Sequence, residues 1–392
     1  MSLTDTRVGH GVERLTLGLL VGFVASLQLS IALANILLAT ALVSWAATLL
    51  RDRARPAAPV FFTPLLVYGA ATLASAAFSL DPAASLTDSK QLLLFAIVPA
   101  VYEIARGQRA GVIADVIVSV GAASAAFGII QYGMLHYDNL GQRPQGALSH
   151  YMTYSGLLLL VICAAAARLI FDTRERVWPA LVMPALVVAL SLTFTRSAWI
   201  GACAAVGLLL VMKDFRLTAL LPVAVAVIFA VAPDGITDRM MSVFDLQDPT
   251  NRDRMAMMRT GAAIVSDHPL TGIGPNMIPR IYEQYRDPAA VLATNPHLHN
   301  VPLQIAAERG LPALAAWLWF IGALSAGAYR LFRERRHRAL SATALAAIAG
   351  MLAAGFFEYN FGDSEFLMLF LVLITLPFAA ARDDSDARAD RP

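Results

Sequence analysis

Two histidines and an asparagine lie close together in residues 295–304, at the end of the one long polar insertion in an otherwise apolar sequence. The unperturbed pKa of histidine, about 6.5, lets an imidazole take up and return a proton near neutral pH. We expect His297 and His299 to lie just outside the hydrocarbon, where a lipid presents its head group. The spacing therefore predicts an enzyme that works at a membrane surface.

A polar stripe follows these histidines. Asn300, Gln304 and Glu308 recur at every fourth residue, which places their side chains on one face of a helix that starts at the membrane surface. Such a face needs either water or a ligand, so we predict that Asn300 and Gln304 bind substrate. Upstream, residues 267–276 predict a helix end and a glycine-rich turn. That turn could let backbone amides approach a ligand, or it could be purely structural.

A metal site is the alternative for the two histidines. The spacing of His297 and His299 could ligate zinc if a strand placed both side chains on one side. Pro302 and the helical pattern after it argue against a strand, and no third ligand is apparent at a suitable spacing. We therefore predict no metal and no other cofactor, and His297 becomes a candidate substrate-binding residue. Glu358 and Asp363 could orient a base or an arginine, or merely cap helices.

Arginines are numerous in the same insertion. Guanidinium groups suit phosphate oxygens because two parallel donors match two acceptors and the charge persists at any relevant pH. Arg196 stands between two apolar runs, where an unpaired charge is costly, so we expect an anionic partner for it. Each of the others could instead be a solvated charge or the partner of a nearby aspartate. The arginines predicted to bind substrate are Arg143, Arg252, Arg254 and Arg309.

The composition indicates an integral membrane protein. Of 392 residues, 58% are hydrophobic and 15% charged, against roughly 25% charged residues in a soluble domain. The apolar residues form runs of about 17–22, long enough to cross ~30 Å of hydrocarbon as helices. A net charge of +2 gives no reason to expect nucleic acid. Cys163 and Cys203 lie in apolar runs, which makes a disulfide framework unlikely.

We predict an all-α integral membrane protein with about twelve transmembrane helices and one large periplasmic loop domain. The predicted spans are 14–31, 33–50, 58–78, 90–106, 110–135, 151–171, 177–194, 197–212, 215–232, 311–332, 339–358 and 362–381. The predicted domains are the first nine transmembrane helices (1–232), the loop domain with short helices (233–310), the last three transmembrane helices (311–381) and a cytoplasmic tail (382–392).

The charge distribution predicts the orientation. Short connections on one side carry most of the basic residues, whereas those on the other side carry only Lys90, Arg143 and Arg196. By the positive-inside rule both termini are then cytoplasmic, and the large loop lies on the outer face. The predicted cytoplasmic basic residues are Arg51, Arg53, Arg55, Arg106, Arg109, Arg174, Arg176, Lys213, Arg216, Arg330, Arg333, Arg335, Arg336 and Arg338.

The large loop, residues 233–310, has the composition of a folded segment. It combines regularly spaced prolines with enough Met, Ile, Tyr and Leu to pack on itself or on the membrane, whereas a flexible linker would be rich in Ser, Gly or Glu. We expect short helices near 251–266 and 277–286.

These residues resemble a known family. His299-Asn300, nine residues and then Gly310 look like the H-N-x9-G signature of the bacterial O-antigen ligases and their relatives, the O-antigen polymerases and the O-oligosaccharyltransferases. Residues 192–199 and 268–274 also resemble sequence patterns that are common in the family. With the predicted spans and the large loop, the resemblance covers most of the chain. Ala313 departs from the Gly, Thr or Tyr that the family often has at that position.

The resemblance implies a glycosyltransferase of the bacterial inner membrane. Such an enzyme transfers a glycan from undecaprenyl pyrophosphate to an acceptor on the periplasmic face, without nucleotide sugar or metal. In the ligases the acceptor is the lipid A core oligosaccharide. By the same resemblance His299 is the catalytic base, and Arg196 and Arg259 match the family's essential outer arginines. We therefore expect an O-antigen ligase whose partners are the lipid-linked glycan, the lipid A core oligosaccharide and membrane lipids.

Two kinds of alternative stay open. An O-antigen polymerase, which uses a second lipid-linked glycan as acceptor, and a protein O-oligosaccharyltransferase share every residue named above. A membrane transporter also fits twelve spans. However, inverted-repeat transporters place polar and broken-helix features near the midplane of both halves. Here the ionisable residues avoid the span centres and collect in one loop.

Overall fold

The structure, a computed structural model, describes residues 3–173 and 175–389. Arg174, one of the predicted cytoplasmic arginines, and residues 390–392 of the predicted tail lie outside the described residues. Within that part of the chain the backbone forms helices and no strand, which confirms the predicted all-α class.

Sixteen α-helices are described, with 3-10 turns at Ser89–Ala96, Phe215–Ala219 and Asn360–Gly362. The helices are α1 (Leu3–Ser26), α2 (Ile31–Asp52), α3 (Phe62–Ala77), α4 (Pro82–Asp88), α5 (Ile97–Ile104), α6 (Gln108–Leu135), α7 (Tyr151–Phe171), α8 (Val177–Leu192), α9 (Arg196–Lys213), α10 (Leu220–Val231), α11 (Asp234–Met241), α12 (Pro249–Asp267), α13 (Ile278–Tyr285), α14 (Val301–Arg333), α15 (Arg338–Gly355) and α16 (Ser364–Ala389).

Seven of the described helices are long and apolar enough to cross a membrane: α2, α6, α7, α9, α14, α15 and α16. The apolar helices α3 and α8 and the stretch Phe215–Val231 are shorter. This pattern is that of a multi-pass membrane protein. The predicted total of twelve spans is not confirmed and stays a prediction, as do the domain boundaries. The predicted span 90–106 is divided between a 3-10 turn and α5.

The centre of the bundle is formed by α7, α15 and α16, whose side chains are mostly buried. Small residues let α15 approach its neighbours closely: a Cβ on Gly201 of α9 would lie 2.8 Å from the carbonyl oxygen of Gly350. Close backbone packing at small residues is typical of helices in lipid. This packing fixes the end of α15, and therefore the connection to α16 that follows it.

The insertion, residues 233–310, is folded as predicted. It contains α12 and α13, which match the two expected helices, and also α11, which was not expected. Its apolar side chains form a core of their own, and that core includes residues from the start of α14. The buried members of this core are Met257, Ile264, Ile273, Met277, Ile278, Ile281, Tyr282, Leu298 and Ala307.

Helix α14 begins at Val301, where the polar stripe of Asn300, Gln304 and Glu308 predicts a helix, although the predicted transmembrane span starts only at residue 311. The helix is broken at Gly310. Gly310 has φ 81° and ψ 168°, a backbone conformation that is essentially restricted to glycine. Pro312 has no amide hydrogen to offer the carbonyl of Glu308, and the amide of Leu311 donates to the oxygen of Pro269 at 2.8 Å. The break leaves carbonyl groups that need other donors.

The glycine-rich turn supplies those donors. The amide of Ile273 donates to the oxygen of Ala307 at 3.1 Å, and the amide of Gly274 donates to the oxygen of Glu308 at 2.8 Å. A Cβ on Gly272 would lie 2.3 Å from the carbonyl carbon of Glu308, so the close approach requires glycine. Of the two roles left open for this turn, the structural one is observed.

Candidate active site

His299 and Glu358 form a hydrogen-bonded pair. His299 immediately precedes the cap of α14, and Glu358 lies in the connection between α15 and α16. The Nδ1 atom of His299 is 3.2 Å from Oε1 and 3.1 Å from Oε2 of Glu358. Because Nδ1 faces a carboxylate, it carries the ring proton and donates it. The lone pair of the neutral ring is then on Nε2, where it can accept a proton.

The backbone of His299 is held in an uncommon conformation. Its φ is 48°, in the left-handed region that costs a residue other than glycine on the order of 1–3 kcal/mol. Polar groups on either side hold it there. The amide of Leu298 donates to Oε1 of Gln304 at 2.6 Å, and the Asn300 side chain accepts from the amide of Leu303 at 2.9 Å. The catalytic candidate is therefore fixed by the first turn of the helix that follows it.

Asn300 also links the segment that carries His299 to the connection that carries Glu358. Its Nδ2 donates to the carbonyl oxygen of Phe356 at 3.2 Å, in the connection that carries Glu358. Asn300 and Gln304 thus find partners within the protein, and these contacts support a positioning role. Their predicted role in binding substrate stays a prediction.

His297 packs against the pair. Its ring centroid is 4.2 Å from that of His299, and its Nε2 is 3.8 Å from Oε1 of Glu358. Burial first, and then the neighbouring His299, lowers the pKa of His297 to about 4, so its ring is neutral at pH 7. Burial alone would raise the pKa of Glu358, but His299, His297 and a backbone amide outweigh it and hold that pKa well below its usual range.

The third metal ligand that seemed missing is present. Nitrogen atoms of His297 and His299 and a carboxylate oxygen of Glu358 all lie within 4.8 Å of one another. The sequence offers no third ligand at a suitable spacing, and the structure brings Glu358 to the two histidines from a distant part of the chain. Glu358 comes from a connection 59 residues beyond His299, and local spacing gives no sign of such a ligand.

Arg196 is buried and has the anionic partner that we expected. Its Nη2 lies 3.2 Å from Oδ1 of Asp248, and its Nη1 donates to the backbone oxygen and to Oγ of Ser242, each at 2.9 Å. Arg239 of α11 shares the same carboxylate, with Nη1 3.5 Å from Oδ2 of Asp248. Asp248 also caps α12 by accepting from the amide of Thr250 at 3.0 Å. One carboxylate therefore serves two guanidinium groups and a helix end.

Arg239 experiences an excess of positive charge. Its pKa is lowered to about 10, by burial first and then by Arg196, whereas Asp248 opposes the shift. Arg143 and Arg254 lower the pKa further. The Nε atom of Arg239 is buried and has no hydrogen-bond partner among the described residues. A buried N–H without an acceptor, beside like charges, is suited to an anionic ligand.

Arg254 connects the arginines to the imidazoles. Burial lowers its pKa, the charge of Glu358 opposes that shift, and Arg196 adds to it. Its guanidinium carbon also lies 6.0 Å from the ring centroid of Phe357, next to Glu358 in sequence. No hydrogen bond or ion pair engages the Arg254 side chain within the described part of the chain. The charges of both Asp248 and Glu358 therefore act on Arg254.

Arg143 completes this group, with its guanidinium carbon 4.2 Å from the ring centroid of Tyr151 and its Nε donating to the oxygen of Leu140 at 3.0 Å. Its pKa is lowered by burial, and Arg196 contributes to the decrease. Four guanidinium groups therefore face two carboxylates. We call this set the arginine cluster: Arg143, Arg196, Arg239 and Arg254 with Asp248 and Glu358.

Three predicted arginines lie elsewhere. Arg259 forms a forked ion pair with Asp287, at 2.6 and 3.2 Å, and its side chain is 52% exposed. Arg252 is exposed on the first turns of α12. Arg309 is buried against Glu308 at 2.8 Å. The structure does not bring these three into contact with the imidazoles, and their catalytic or binding roles stay predictions.

A cavity of about 210 Å³ opens beside Glu358. Asp363, on its wall, accepts from Oγ1 of Thr153 at 2.5 Å and caps α16 through the amide of Phe366 at 2.9 Å. Burial raises the pKa of Asp363 to about 6. Of the roles considered for Asp363, helix capping is observed. The cavity is lined by His150, Met152, Thr153, Gly156, His297, Glu358, Tyr359, Asn360, Gly362, Asp363 and Phe366.

A larger apolar groove of about 420 Å³ runs between α7, α8, α9 and α10 and reaches α11. Its walls are almost entirely hydrocarbon, from residues such as Ile162, Met183 and Val206. Ile236 and Met240 of α11 also line the groove. Because Arg239 lies on the same helix, the groove and the arginine cluster share α11.

Two residues of this site were undervalued at the sequence level. Glu358 was considered only as an orienting or capping group, and Arg239 was one of many basic residues in the insertion. A signal for Glu358 existed in its position at the end of a predicted span, on the same side as His299. No sequence pattern distinguishes Arg239 from its neighbours, because its role depends on the position of α11.

One family comparison bears on the site. The profile of a protein family described as O-Antigen ligase matches residues 180–318, from α8 to the middle of α14. The matched region contains Arg196, the insertion, His299 and Gly310, and it confirms the resemblance noted from the sequence. No curated protein matches the chain.

Proposed function

We propose that this chain is an O-antigen ligase of the bacterial inner membrane, and the match of residues 180–318 to the profile of the O-antigen ligase family supports the proposal. The enzyme transfers a polysaccharide from undecaprenyl pyrophosphate to the lipid A core oligosaccharide at the periplasmic face, without a metal. The observation that carries the proposal is the hydrogen-bonded pair of His299 and Glu358 near a cluster of buried and partly buried arginines that holds excess positive charge.

The arginine cluster takes the leaving group. Pyrophosphate departs readily once its developing charge is neutralised, and fixed guanidinium groups in a partly buried site do this without reorganising. Arg196 and Arg239 already share Asp248, and Arg254 lies towards Glu358. Arg254 fits the second pyrophosphate contact better than Arg259, whose charge is neutralised by Asp287.

His299 activates the acceptor. A sugar hydroxyl is a poor nucleophile until its proton is accepted, and a positioned general base contributes about 10²–10⁴-fold to the rate. The Nε2 lone pair accepts that proton as the hydroxyl oxygen attacks the anomeric carbon and the bond to pyrophosphate breaks. Glu358 stabilises the resulting imidazolium through Nδ1. A single displacement inverts the anomeric configuration.

The apolar groove accommodates the polyprenyl chain. Its hydrocarbon walls offer little to a polar ligand, whereas an isoprenoid that enters from the bilayer buries its surface there. Because α11 lines the groove and carries Arg239, a chain in the groove places its pyrophosphate near the arginine cluster.

The nature of the acceptor is tested by the intermediates that accumulate in cells. A strain that lacks this chain is expected to accumulate full-length polysaccharide on polyprenyl pyrophosphate, with an uncapped lipid A core, and the wild-type chain restores capping. Accumulation of single repeat units would instead identify a polymerase. A normally capped core with an unmodified protein acceptor would identify a protein O-oligosaccharyltransferase.

A further inference from the structure

The two imidazoles and the carboxylate of the site make a second kind of chemistry available. Nδ1 of His299 lies 3.1 Å from Oε2 of Glu358, and Nε2 of His297 lies 3.8 Å from Oε1 of the same carboxylate. These three side chains are only 13–26% exposed, and they come from two separate connections of the chain. We propose that His297, His299 and Glu358 bind Zn²⁺, and that the bound ion inhibits transfer. The inhibitory part of this proposal depends on the proposed function.

The separations suit a tetrahedral ion. Zinc binds nitrogen and carboxylate oxygen at about 2.0–2.2 Å, so two ligand atoms of a tetrahedral site lie about 3.4 Å apart. To one oxygen of Glu358, Oε1, the distances are 3.2 Å from Nδ1 of His299 and 3.8 Å from Nε2 of His297, and they bracket that value. The ligand atoms of the three side chains lie within 4.8 Å of one another, so small rotations of the side chains bring them onto one ion, and water completes the coordination.

Each of the three side chains has an atom that can offer a lone pair to an ion. Metal ligands bind as a neutral imidazole and an ionised carboxylate. The atoms concerned are nitrogens of His297 and His299 and a carboxylate oxygen of Glu358, all within 4.8 Å of one another. His299 contributes Nδ1 once the proton on that atom has moved.

That proton shift is the cause of inhibition. A neutral imidazole carries one N–H, and coordination through Nδ1 moves this proton to Nε2. The Nε2 atom then donates a hydrogen bond and has no lone pair for an acceptor hydroxyl. Glu358 is engaged by the ion at the same time and no longer stabilises an imidazolium. The imidazole ring neither loses nor gains a proton overall, so coordination changes only its tautomer.

The surroundings indicate weak rather than structural binding. Histidine ligands of resident metals usually donate their second N–H to a partner, and loss of such a partner costs about 10–100-fold in affinity. The Nδ1 atom of His297 is buried without a hydrogen-bond partner among the described residues. The site is therefore suited to reversible occupation by zinc and not to a permanent ion.

Direct binding tests the site. The full chain, purified in detergent with a tag that contains no histidine, is titrated with Zn²⁺ against a chromophoric chelator. We expect one Zn²⁺ per chain for the wild type and for the control His268→Ala, which removes another histidine of the insertion. Loss of a ligand in His297→Ala or Glu358→Gln should weaken binding at least about tenfold. Unchanged affinity in both variants would overturn the site.

Inhibition is tested separately. Each variant's transfer rate is measured against Zn²⁺ and expressed relative to its own rate in chelator. The zinc concentration for half inhibition should rise at least about tenfold in His297→Ala, in parallel with its weaker binding, and chelator should reverse inhibition of the wild type. Full activity of the zinc-loaded wild type, or activity that requires zinc, would overturn the inhibitory role. Failure of all chains to transfer glycan would count against the proposed function, while the titration would still decide on the site.

Discussion

At the scale of single residues, side chains of the same type in the candidate site differ in the residues that contact them. His299 has a carboxylate on Nδ1, which leaves Nε2 available, whereas Nδ1 of His297 has no hydrogen-bond partner within residues 3–173 and 175–389. Among the arginines, Arg259 has its own aspartate, while Arg196 and Arg239 share one. Charge that is left incompletely balanced is what can attract a pyrophosphate.

The partner of the base is tested by Glu358→Gln. The amide keeps the shape of the side chain and can still accept from Nδ1, but it cannot stabilise an imidazolium by charge. We expect the turnover rate to fall roughly ten- to a hundredfold, a part of the about 10²–10⁴-fold that a general base contributes. Purified protein in liposomes, with donor and acceptor at saturation, provides the measurement. Wild-type turnover would show that Glu358 does not assist the base.

Arg254→Gln and Arg259→Gln form a matched pair for the pyrophosphate contact. Both lie on α12, but Arg254 is half-buried next to Glu358, whereas Arg259 is exposed and paired with Asp287. Loss of a charge-assisted contact to the leaving group should lower kcat/KM for the donor about tenfold or more in Arg254→Gln. Arg259→Gln should lower it less. The reverse order would assign the contact to Arg259, as the family resemblance implies.

The kinds of side chain in the candidate site could be predicted from the sequence better than the residues that contact them. His299 could be identified because few side chains act as a base near neutral pH and because it follows the polar insertion. Arg196 could be identified because a charge between two apolar runs is expensive. The contacts with Glu358 and Asp248 could not be predicted, since they depend on where α15 ends relative to the start of α14 and where α12 begins relative to the start of α9.

At the scale of elements, the short helix from Val301 to Arg309 is the device that positions His299, the proposed base. It begins at the Asn300 cap and ends at the Gly310 break, where the turn at Gly272 closes it. The H-N-x9-G spacing is therefore the length of this helix with a boundary at each end. The predicted transmembrane span starts after Gly310 because the polar residues Asn300, Gln304 and Glu308 predict a helix at the membrane surface and not within the hydrocarbon.

Gly310→Ala tests this device. A Cβ at this position would lie 2.1 Å from the oxygen of Leu270, on a backbone that non-glycine residues avoid at a cost of about 1–3 kcal/mol. We expect a lower melting temperature and a loss of transfer. Gly322→Ala on the same helix is the control, because a Cβ there meets nothing within 4 Å. That change should be neutral or stabilising by up to about 1 kcal/mol. Equal effects of the two substitutions would contradict the account.

At the scale of the whole molecule, the apolar helices and the polar insertion have different proposed roles. The groove between α7, α8, α9 and α10 is suited to a lipid tail, and the insertion, whose α11 also lines the groove, carries arginines and imidazoles. The all-α class and the folded insertion could be predicted because apolar run length and composition report them directly. The number of spans could not, since α3 and α8 are short and the region 82–104 is broken into three pieces.

The proposed orientation is tested by cysteine labelling. In a chain that carries Cys163→Ala and Cys203→Ala, a single cysteine is introduced by Leu292→Cys in the insertion or by Ala54→Cys between α2 and α3. Both positions are exposed. A membrane-impermeant maleimide should label Leu292→Cys in intact spheroplasts, and Ala54→Cys only after lysis, because the positive-inside rule places the latter in the cytoplasm. Labelling in the opposite order would invert the molecule and remove the periplasmic site.

The most direct measurement is glycan transfer by purified His299→Ala in liposomes that contain lipid-linked polysaccharide and lipid A core, with chelator present. The account predicts that turnover falls by about 10² or more, because the general base is lost. Donor binding should persist through the arginine cluster, and the wild type should remain active in chelator. Wild-type turnover by His299→Ala would contradict the assignment of His299 as the base.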